Sequence, residues 1–341
     1  MMATEINIYT VTISELDNNK NNNNNYLKID DSSIPTKKLK ERNIAKVSNR
    51  HFVERDEQAD NKAIVLEPGH WQDYDPFLLM AEDWFSTQGF DWHPHRGIET
   101  ITIVLDGELE HCDNGGGHGI LKEGDVQSMT AGKGLLHREM AYNNQPVHAL
   151  QLWLNLPSDK KMVEPKYQDL RGDLVPIRHE PGVRVKVFSG QSGSVKGPAS
   201  NHVPVTMFDV TVRAGDHDPS SSPFIQQIPA GQEGFIYVLS GKGTFGSDGI
   251  SLAAGQIGHL GKTSRNVGPT RLSISSEEPS RFLLWTGQPL HEPVVVHGPF
   301  VMNTRAQIVE AFSDYNAGLF GPILSSSSTP SEQDLIRNQM G

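Results

Sequence analysis

A run of β-branched residues follows a closely spaced pair of histidines in Gly89-Phe-Asp-Trp-His-Pro-His-Arg-Gly-Ile-Glu-Thr-Ile-Thr-Ile-Val-Leu-Asp-Gly107. Threonine, isoleucine and valine favour extended backbone, and Asp-Gly at the end of the run is typical of a turn between strands. Side chains alternate between the two faces of a strand, so His93 and His95 point to the same side. The segment therefore predicts β-strands that carry two imidazoles on one face.

A second pair with the same spacing ends the segment Thr130-Ala-Gly-Lys-Gly-Leu-Leu-His-Arg-Glu139. If its strand lies beside the first in an antiparallel barrel, four side chains converge on one point. Three imidazoles and one carboxylate suit a divalent transition metal such as Fe(II), and they leave coordination positions for other ligands. We therefore predict one metal centre, with the ligands His93, His95, His137 and Glu139.

The composition narrows the class of protein. The chain has 341 residues with 36% hydrophobic and 21% charged residues, and its 32 Gly and 21 Pro favour the many turns of an all-β fold. A formal charge of −11 argues against direct binding to nucleic acid, which needs clustered Lys and Arg. The single cysteine excludes an internal disulfide, and no long apolar run predicts a membrane span. These features are expected of a soluble protein in a reducing compartment.

An internal repeat indicates two similar domains. Glu99-Thr-Ile-Thr-Ile-Val-Leu-Asp-Gly107 matches Glu233-Gly-Phe-Ile-Tyr-Val-Leu-Ser-Gly241 with the same step from Glu to Gly. A repeat of this length predicts two barrels that arose by duplication. Along the repeat, the ligand positions fall on Gln227, Pro229, Gly268 and Thr270. The second barrel is thus expected to keep the scaffold without the metal site.

The chain divides into four predicted parts. Residues 1–46 form a polar leader, expected to be disordered because it contains an Asn-rich run. Residues 47–172 form the first barrel, and residues 173–320 form the second barrel and end in an amphipathic helix with a capping box of Thr304 and Gln307. Residues 321–341 form a second disordered segment. A basic cluster from Lys37 to Arg42 is either a nuclear-import signal or a solvated charge run.

Several residues near the predicted ligands have two interpretations. Arg96 lies on the opposite strand face from His95, where it either tunes the metal by its charge or pairs with an acidic neighbour. Gln151 and Trp153 share a face of the strand that begins at Ala149, as pocket walls or as ordinary sheet packing. The remaining candidates are assigned structural or surface roles: Glu99 and His148 are structural, His111 and His118 are exposed, and Cys112 is unreactive.

Four blocks of this sequence together resemble the pirin family, a branch of the bicupins. They are His93-Pro-His-Arg-Gly-Ile-Glu99, Thr130-Ala-Gly-Lys-Gly-Leu-Leu-His-Arg-Glu139, Leu150-Gln-Leu-Trp-Leu-Asn-Leu-Pro157 and His297-Gly-Pro-Phe-Val-Met-Asn-Thr304, which extend in the family's order over about residues 47 to 320. The resemblance implies two stacked cupin-type β-sandwich barrels with iron in the N-terminal barrel only. It places that iron on the same four residues that the strand spacing selects.

The resemblance also implies two functions. The first is a quercetin (flavonol) 2,3-dioxygenase that uses Fe(II) or another divalent transition metal, with a flavonol and dioxygen as substrates and Glu139 as ligand, base or both. The second is an iron- and redox-sensitive transcription cofactor, in the nucleus or cytoplasm, that acts by binding a transcription-regulator protein. A third interpretation is a catalytically inactive structural bicupin. The family leans towards monomers.

Overall fold

β-Strands account for most of the secondary structure in residues 39–54, 59–87, 89–213, 223–263 and 267–323, which the computed structural model describes. Disorder was predicted for residues 1–46 and 321–341, and residues 1–38 and 324–341 of these segments lie outside the described ranges. All described residues belong to one compact unit that begins at Leu39.

The strands of the first half are short and follow one another closely. In chain order they are β1 (Lys40–Glu41), β2 (Ile44–Asn49), β3 (His51–Phe52), β4 (Asn61–Leu66), β5 (Phe77–Phe85), β6 (Gly89–His95), β7 (Ile98–Asp106), β8 (Glu108–Asp113), β9 (His118–Lys122), β10 (Val126–Thr130), β11 (Leu135–Ala141), β12 (Val147–Asn155) and β13 (Lys166–Leu170). A short helix, α1 (Trp71–Tyr74), precedes β5.

The second half repeats this pattern and ends in a longer helix, α2 (Arg305–Asn316). Its strands are β14 (Ile177–Glu180), β15 (Val183–Ser189), β16 (Gln191–Ser192), β17 (Val195–Lys196), β18 (Val205–Val212), β19 (Phe224–Ile228), β20 (Glu233–Ser240), β21 (Lys242–Phe245), β22 (Ile250–Ala253), β23 (Gln256–Leu260), β24 (Thr270–Ser275), β25 (Ser280–Gly287), β26 (Val295–His297) and β27 (Phe300–Met302). Within the described ranges, both α-helices fall short of the length and apolar character that crossing a membrane requires.

Two sheets form the first barrel. A seven-stranded sheet has the order β13-β10-β7-β12-β5-β4-β3, and a four-stranded sheet has the order β6-β11-β8-β9. Strand β7 lies between β10 and β12, and all its residues except the last are buried. This central position explains why β7 is rich in β-branched residues and why even its polar residues Glu99, Thr100 and Thr102 are buried.

The second barrel repeats the first strand by strand. Its seven-stranded sheet has the order β14-β15-β18-β25-β20-β23-β2, so that β20 occupies the place of β7 between its two neighbours. A smaller sheet contains β19, β24, β21 and β22 in the arrangement of β6, β11, β8 and β9. The all-β fold with two similar barrels predicted from the sequence is confirmed.

The N-terminal boundary differs from the prediction. Strand β1 pairs in parallel with β24, and β2 pairs with β23, so both complete sheets of the second barrel. Ile44 is buried in that barrel's core, and the buried guanidinium of Arg42 donates to the backbone carbonyls of Gly261 (2.7 Å) and Gln232 (2.9 Å). The expected leader therefore cannot extend to residue 46, because its last residues are strand. Of the basic cluster, Arg42 is a structural residue, and Lys37 lies outside the described ranges.

A shared core joins the two barrels. Phe77 of β5 packs edge to face against Phe235 of β20 and Trp285 of β25, with ring centroids 5.5 and 6.3 Å apart. All three side chains are fully buried and belong to a cluster that draws apolar residues from both halves. The two barrels therefore share one hydrophobic core.

The last described segment of the chain packs on the first barrel. Helix α2 begins with the predicted capping box, in which Thr304 and Gln307 bond each other's backbone N–H groups. The helix packs with β27 against Leu136 of β11, and residue Phe300 forms a bridge with Arg96. The sequence predicted this helix at the end of the second barrel's segment, and the structure packs its apolar face against the first barrel.

Candidate metal centre

Three predicted ligands meet where β6 and β11 pair. The antiparallel register places His93 opposite His137 and His95 opposite Leu135. The ring centroids of the three histidines lie 4.2 to 5.1 Å apart, and one ring nitrogen of each lies within 4.8 Å of the others. The strand alternation thus brings three imidazoles to one point.

Backbone carbonyls orient two of these rings. The Nδ1 atom of His93 donates to the carbonyl of Asp91 (2.7 Å), and that of His95 donates to the carbonyl of Pro299 (3.3 Å), between β26 and β27. A metal-binding histidine usually makes such a bond with the nitrogen that does not touch the metal. The turn between β26 and β27 therefore helps to orient a ligand that lies 204 residues away in sequence.

The third imidazole contacts another histidine. The Nδ1 atom of His137 lies 3.3 Å from Nε2 of His111 on β8. The Nε2 atoms of His95 and His137 are buried and have no hydrogen-bond partner among the described residues. Buried polar atoms are normally paired, so two unpaired imidazole nitrogens that face each other indicate room for a ligand or metal ion.

Burial keeps these imidazoles neutral. It lowers the pKa of His95 and of His111 to about 3, and it holds the pKa of His137 well below its usual range. Burial also lowers the pKa of His93, which is the most exposed of the four rings. A histidine must be unprotonated to bind a metal, so no proton has to leave these rings at neutral pH.

The carboxylate of Glu139 takes a different position from the predicted one. Its oxygens accept hydrogen bonds from Thr102 (3.0 Å) and Gln151 (2.6 Å), and it is not in the group formed by the three imidazoles. Burial raises the pKa of Glu139 to about 7, partly offset by these two donors. The expected convergence of four side chains is therefore reached by three, because protein donors occupy both carboxylate oxygens.

A cavity of about 300 Å³ opens beside the histidines. His93 and His95 lie in its wall, and the Trp153 ring packs edge-on against His95 at 5.1 Å. Gln151 also lines the cavity, so the amide that holds Glu139 faces this space. The rest of the wall is largely apolar, with Ile64, Pro68, Leu79, Ala81, Phe90 and Pro299, and carries the charged pair Lys62 and Asp83.

Known families match both halves of the chain. The family model Pirin matches residues 57–154, and the model Pirin C-terminal cupin domain matches residues 209–321. A pirin-like protein of Solanum lycopersicum is 40% identical over 256 residues, which cover 73% of this chain and 83% of that protein. The pirin of Homo sapiens is 39% identical over 247 residues, 71% of this chain and 81% of that protein. This chain belongs to the pirin family.

Solved structures agree with this family. A quercetin 2,3-dioxygenase from Acinetobacter baumannii superimposes with a TM-score of 0.73 at 34% identity, covering 83% of this chain and 99% of that one. The bacterial pirin YhhW of Escherichia coli, solved in complex with nickel(II), has a TM-score of 0.55 at 20% identity and covers 72% and 98% of the two chains. The second likeness shows the fold alone.

Arg96 of this pirin-family chain lies beside the site and contacts the end of the chain. Its Nη1 pairs with Asp314 of α2 (2.8 Å), its Nε donates to the carbonyl of Lys133 (2.6 Å), and its guanidinium lies over the Phe320 ring at 4.6 Å. Of the two roles considered from the sequence, these contacts match the pairing with an acidic neighbour. They also fix α2 against the strand that carries His95.

His111 corrects one prediction from the sequence. It was expected to be exposed near the glycine loop, but it is fully buried in β8. The available signal was alternation: Leu109, two residues earlier, is also buried and points to the same side. Its neighbour His118 is half-buried and contacts Glu110 at 3.1 Å.

Two structural assignments agree with the contacts. Glu99 is fully buried and accepts hydrogen bonds from Thr130 (2.8 Å) and Asn201 (3.1 Å), the latter from the second half of the chain. His148 bonds Glu82 at 2.8 Å and stacks on a tryptophan. The first contact joins the two halves of the chain, and the second lies within the first barrel.

Lys161 is a residue that the sequence did not single out. Its buried ammonium donates to the carbonyls of Gly97 (2.9 Å) and Val301 (2.9 Å) and to the side chain of Asn155 (2.6 Å). It thereby ties the turn after His95 to β27. Burial lowers the pKa of Lys161 to about 7, but three acceptors around one ammonium favour the charged form.

The outer face of the same sheet carries a second group of potential ligands. Atoms of Glu110, Cys112 and His118 lie within 4.8 Å of one another. The guanidinium of Arg138 already contacts Glu110 at 3.3 Å, so a positive charge occupies this position. Burial raises the pKa of the Cys112 thiol, which agrees with the expectation that it is unreactive.

The second barrel carries different residues at the corresponding place. Gln227, the predicted counterpart of His93, pairs with Arg271 of β24. Gly268, the counterpart expected for His137, lies before that strand, so the expected register is shifted by three residues. No group of three clustered metal-binding side chains occurs in the described part of the second barrel.

Proposed function

We propose that this pirin-family chain is an Fe(II)-dependent dioxygenase of the quercetin 2,3-dioxygenase type. The observation that carries the proposal is the pair of unpartnered, buried Nε2 atoms of His95 and His137, together with the cavity that has His93 and His95 in its wall. The likeness to a quercetin 2,3-dioxygenase at 34% identity supports the same activity. A structural bicupin without activity would be expected to have this cavity filled.

The donor set fits a divalent transition metal. Neutral imidazoles and a carboxylate suit Fe(II), and they also suit nickel, copper and zinc. The side chains that would hold the ion are His93, His95 and His137, and Glu139 would join them by exchanging its hydrogen bond with Gln151 for the metal. Fe(II) is a member of this group that combines such ligands with dioxygen chemistry.

The residues around the cavity would perform distinct tasks. Phe90 and Trp153 would bind a planar aromatic substrate against apolar walls. Glu139, whose pKa of about 7 allows both protonation states near neutral pH, would take the proton of the flavonol 3-hydroxyl. A bound metal would supply Lewis acidity at the flavonol oxygen and redox chemistry for dioxygen. Gln151 would hold the carboxyl group of Glu139 by its hydrogen bond until the metal binds.

The test is anaerobic loading with Fe(II), followed by addition of quercetin and dioxygen. We expect loss of flavonol absorbance together with oxygen uptake, and we expect His137→Ala and Glu139→Gln to abolish both. His118→Ala, on the outer face of the same barrel, is the matched control and should retain the activity. Iron bound in full occupancy with no turnover of any flavonol would refute the proposal.

A further inference from the structure

The Nδ1 atom of each of the three imidazoles of the site makes a hydrogen bond, but the partners of these bonds differ in kind. For His93 and His95 the partner is a backbone carbonyl, from Asp91 and Pro299. A carbonyl oxygen only accepts hydrogen bonds, so both rings must carry their proton on Nδ1. Their Nε2 atoms are therefore always free to bind a metal.

The partner of His137 does not impose this choice. A neutral imidazole has one donor and one acceptor nitrogen, so the contact between His137 Nδ1 and His111 Nε2 has two forms. In one form His137 donates and its Nε2 is free. In the other form His111 donates, and the proton of His137 sits on Nε2, where it blocks metal binding.

We propose that His111 is a positioning residue that accepts the Nδ1 proton of His137 and thereby presents His137 Nε2 to the metal. The inference rests on the proposed function and adds to it the protein group that holds the third ligand ready. His111 contacts His137 and is not among the residues that line the cavity, so its proposed action is through His137.

The surroundings of His111 support this role. The ring is fully buried on β8, 5.4 Å from the ring of His137 and 6.0 Å from the ring of Tyr167. Its Nδ1 atom has no partner in the described part of the chain, so its one hydrogen bond is the contact with His137. A buried polar ring with a single bond costs stability compared with an apolar side chain. Packing alone therefore does not explain a histidine at this position.

Metal titrations of three variants test the inference. Co(II) is the probe, and its binding is followed by visible absorbance in the wild type, His111→Phe, His111→Gln and the control His118→Phe. We expect His111→Phe to bind about 10 to 100-fold more weakly, the usual effect of removing a group that orients a metal ligand. His111→Gln, whose side-chain oxygen can accept the same proton, should bind within about threefold of the wild type, and so should the control.

The second measurement needs no metal. Ring-nitrogen NMR of metal-free protein labelled with ¹⁵N-histidine reports which nitrogen of each ring carries the proton. We expect His137 to be protonated on Nδ1, and we expect His111→Phe to move part of that population to Nε2. His118→Phe should leave the His137 signals unchanged.

The outcomes separate the two proposals. Unchanged Co(II) affinity in a folded His111→Phe variant overturns the inference, and so does a wild type with the His137 proton on Nε2. A wild type that binds no Co(II) overturns the proposed metal site, and the NMR result alone then decides whether His111 sets the tautomer. If His111→Phe does not fold, the tautomer in the wild type decides, and weak binding by His111→Gln counts against the inference.

Discussion

Metal binding is expected to release one proton per chain below about pH 7 and almost none above it. The proton comes from Glu139, which burial holds at a pKa of about 7 and which must ionise to become the fourth ligand. The histidine rings contribute none near neutrality, because burial lowers the pKa of all three. Below about pH 7 the affinity should therefore rise about tenfold for each pH unit and then level off.

Isothermal titration calorimetry measures this proton directly. Co(II) is titrated at about pH 6 and about pH 8 in two buffers that differ in their enthalpy of ionisation, and the difference in heat gives the number of protons released. Glu139→Gln is the matched control: it removes the titrating group but keeps the size of the side chain, so it should release no proton at either pH. Its affinity should be lower and independent of pH in this range.

Two results would refute this reasoning. Release of two or more protons near pH 6 would mean that the histidines are charged in the metal-free protein, in conflict with their burial. Release of none in the wild type would mean that Glu139 keeps its hydrogen bonds to Thr102 and Gln151 when the metal binds. The centre would then have three protein ligands instead of four.

Three further outcomes follow from the same contacts. The pKa of Glu139 is raised on folding, so the stability that its protonated carboxyl group contributes is present below about pH 4.5 and is lost as the pH rises through about 7. Relative to Glu139→Gln, the metal-free wild type should lose about 3 kcal/mol of unfolding free energy over this window, as measured by urea denaturation. Lys161→Met leaves two buried carbonyls unpaired and should cost about 3 kcal/mol by the same assay, whereas the exposed Lys160→Met should change it by less than about 0.5 kcal/mol. Gln151→Leu removes a donor that lowers the pKa of Glu139, so the pH at which Co(II) affinity levels off should move upward.

Patterns among neighbouring residues correctly predicted the histidine cluster, the repeated central strand and the start of α2. The alternation around His93 and His137 places their side chains on one face, and the structure brings these rings together. The repeat from Glu99 to Glu233 marks equivalent central strands in two barrels. The capping box at Thr304 marks the start of α2 correctly. Each of these signals is a property of neighbouring residues, which is why sequence alone contains them.

The features that sequence did not predict depend on contacts between distant segments. Pro299 contacts His95, and Lys161 contacts Val301, only in the folded protein. No local sequence pattern links the members of either pair. Spacing placed Glu139 on the correct face, but it could not show that Thr102 and Gln151 donate to its carboxylate. The sequence does not show which hydrogen-bond donors lie within reach of a buried carboxylate such as that of Glu139.

Strands β26 and β27 pack on the first barrel, so the histidine site of that barrel can be completed only late in synthesis. The carbonyl of Pro299 orients His95, and the backbone of Val301 receives the ammonium of Lys161, so both contacts form only after the ribosome has delivered nearly all of the described chain. The first barrel is therefore synthesised with its histidines before the carbonyl that orients His95 is available. The two family segments, 57–154 and 209–321, are for the same reason poor guides for cutting the chain into separately expressed halves.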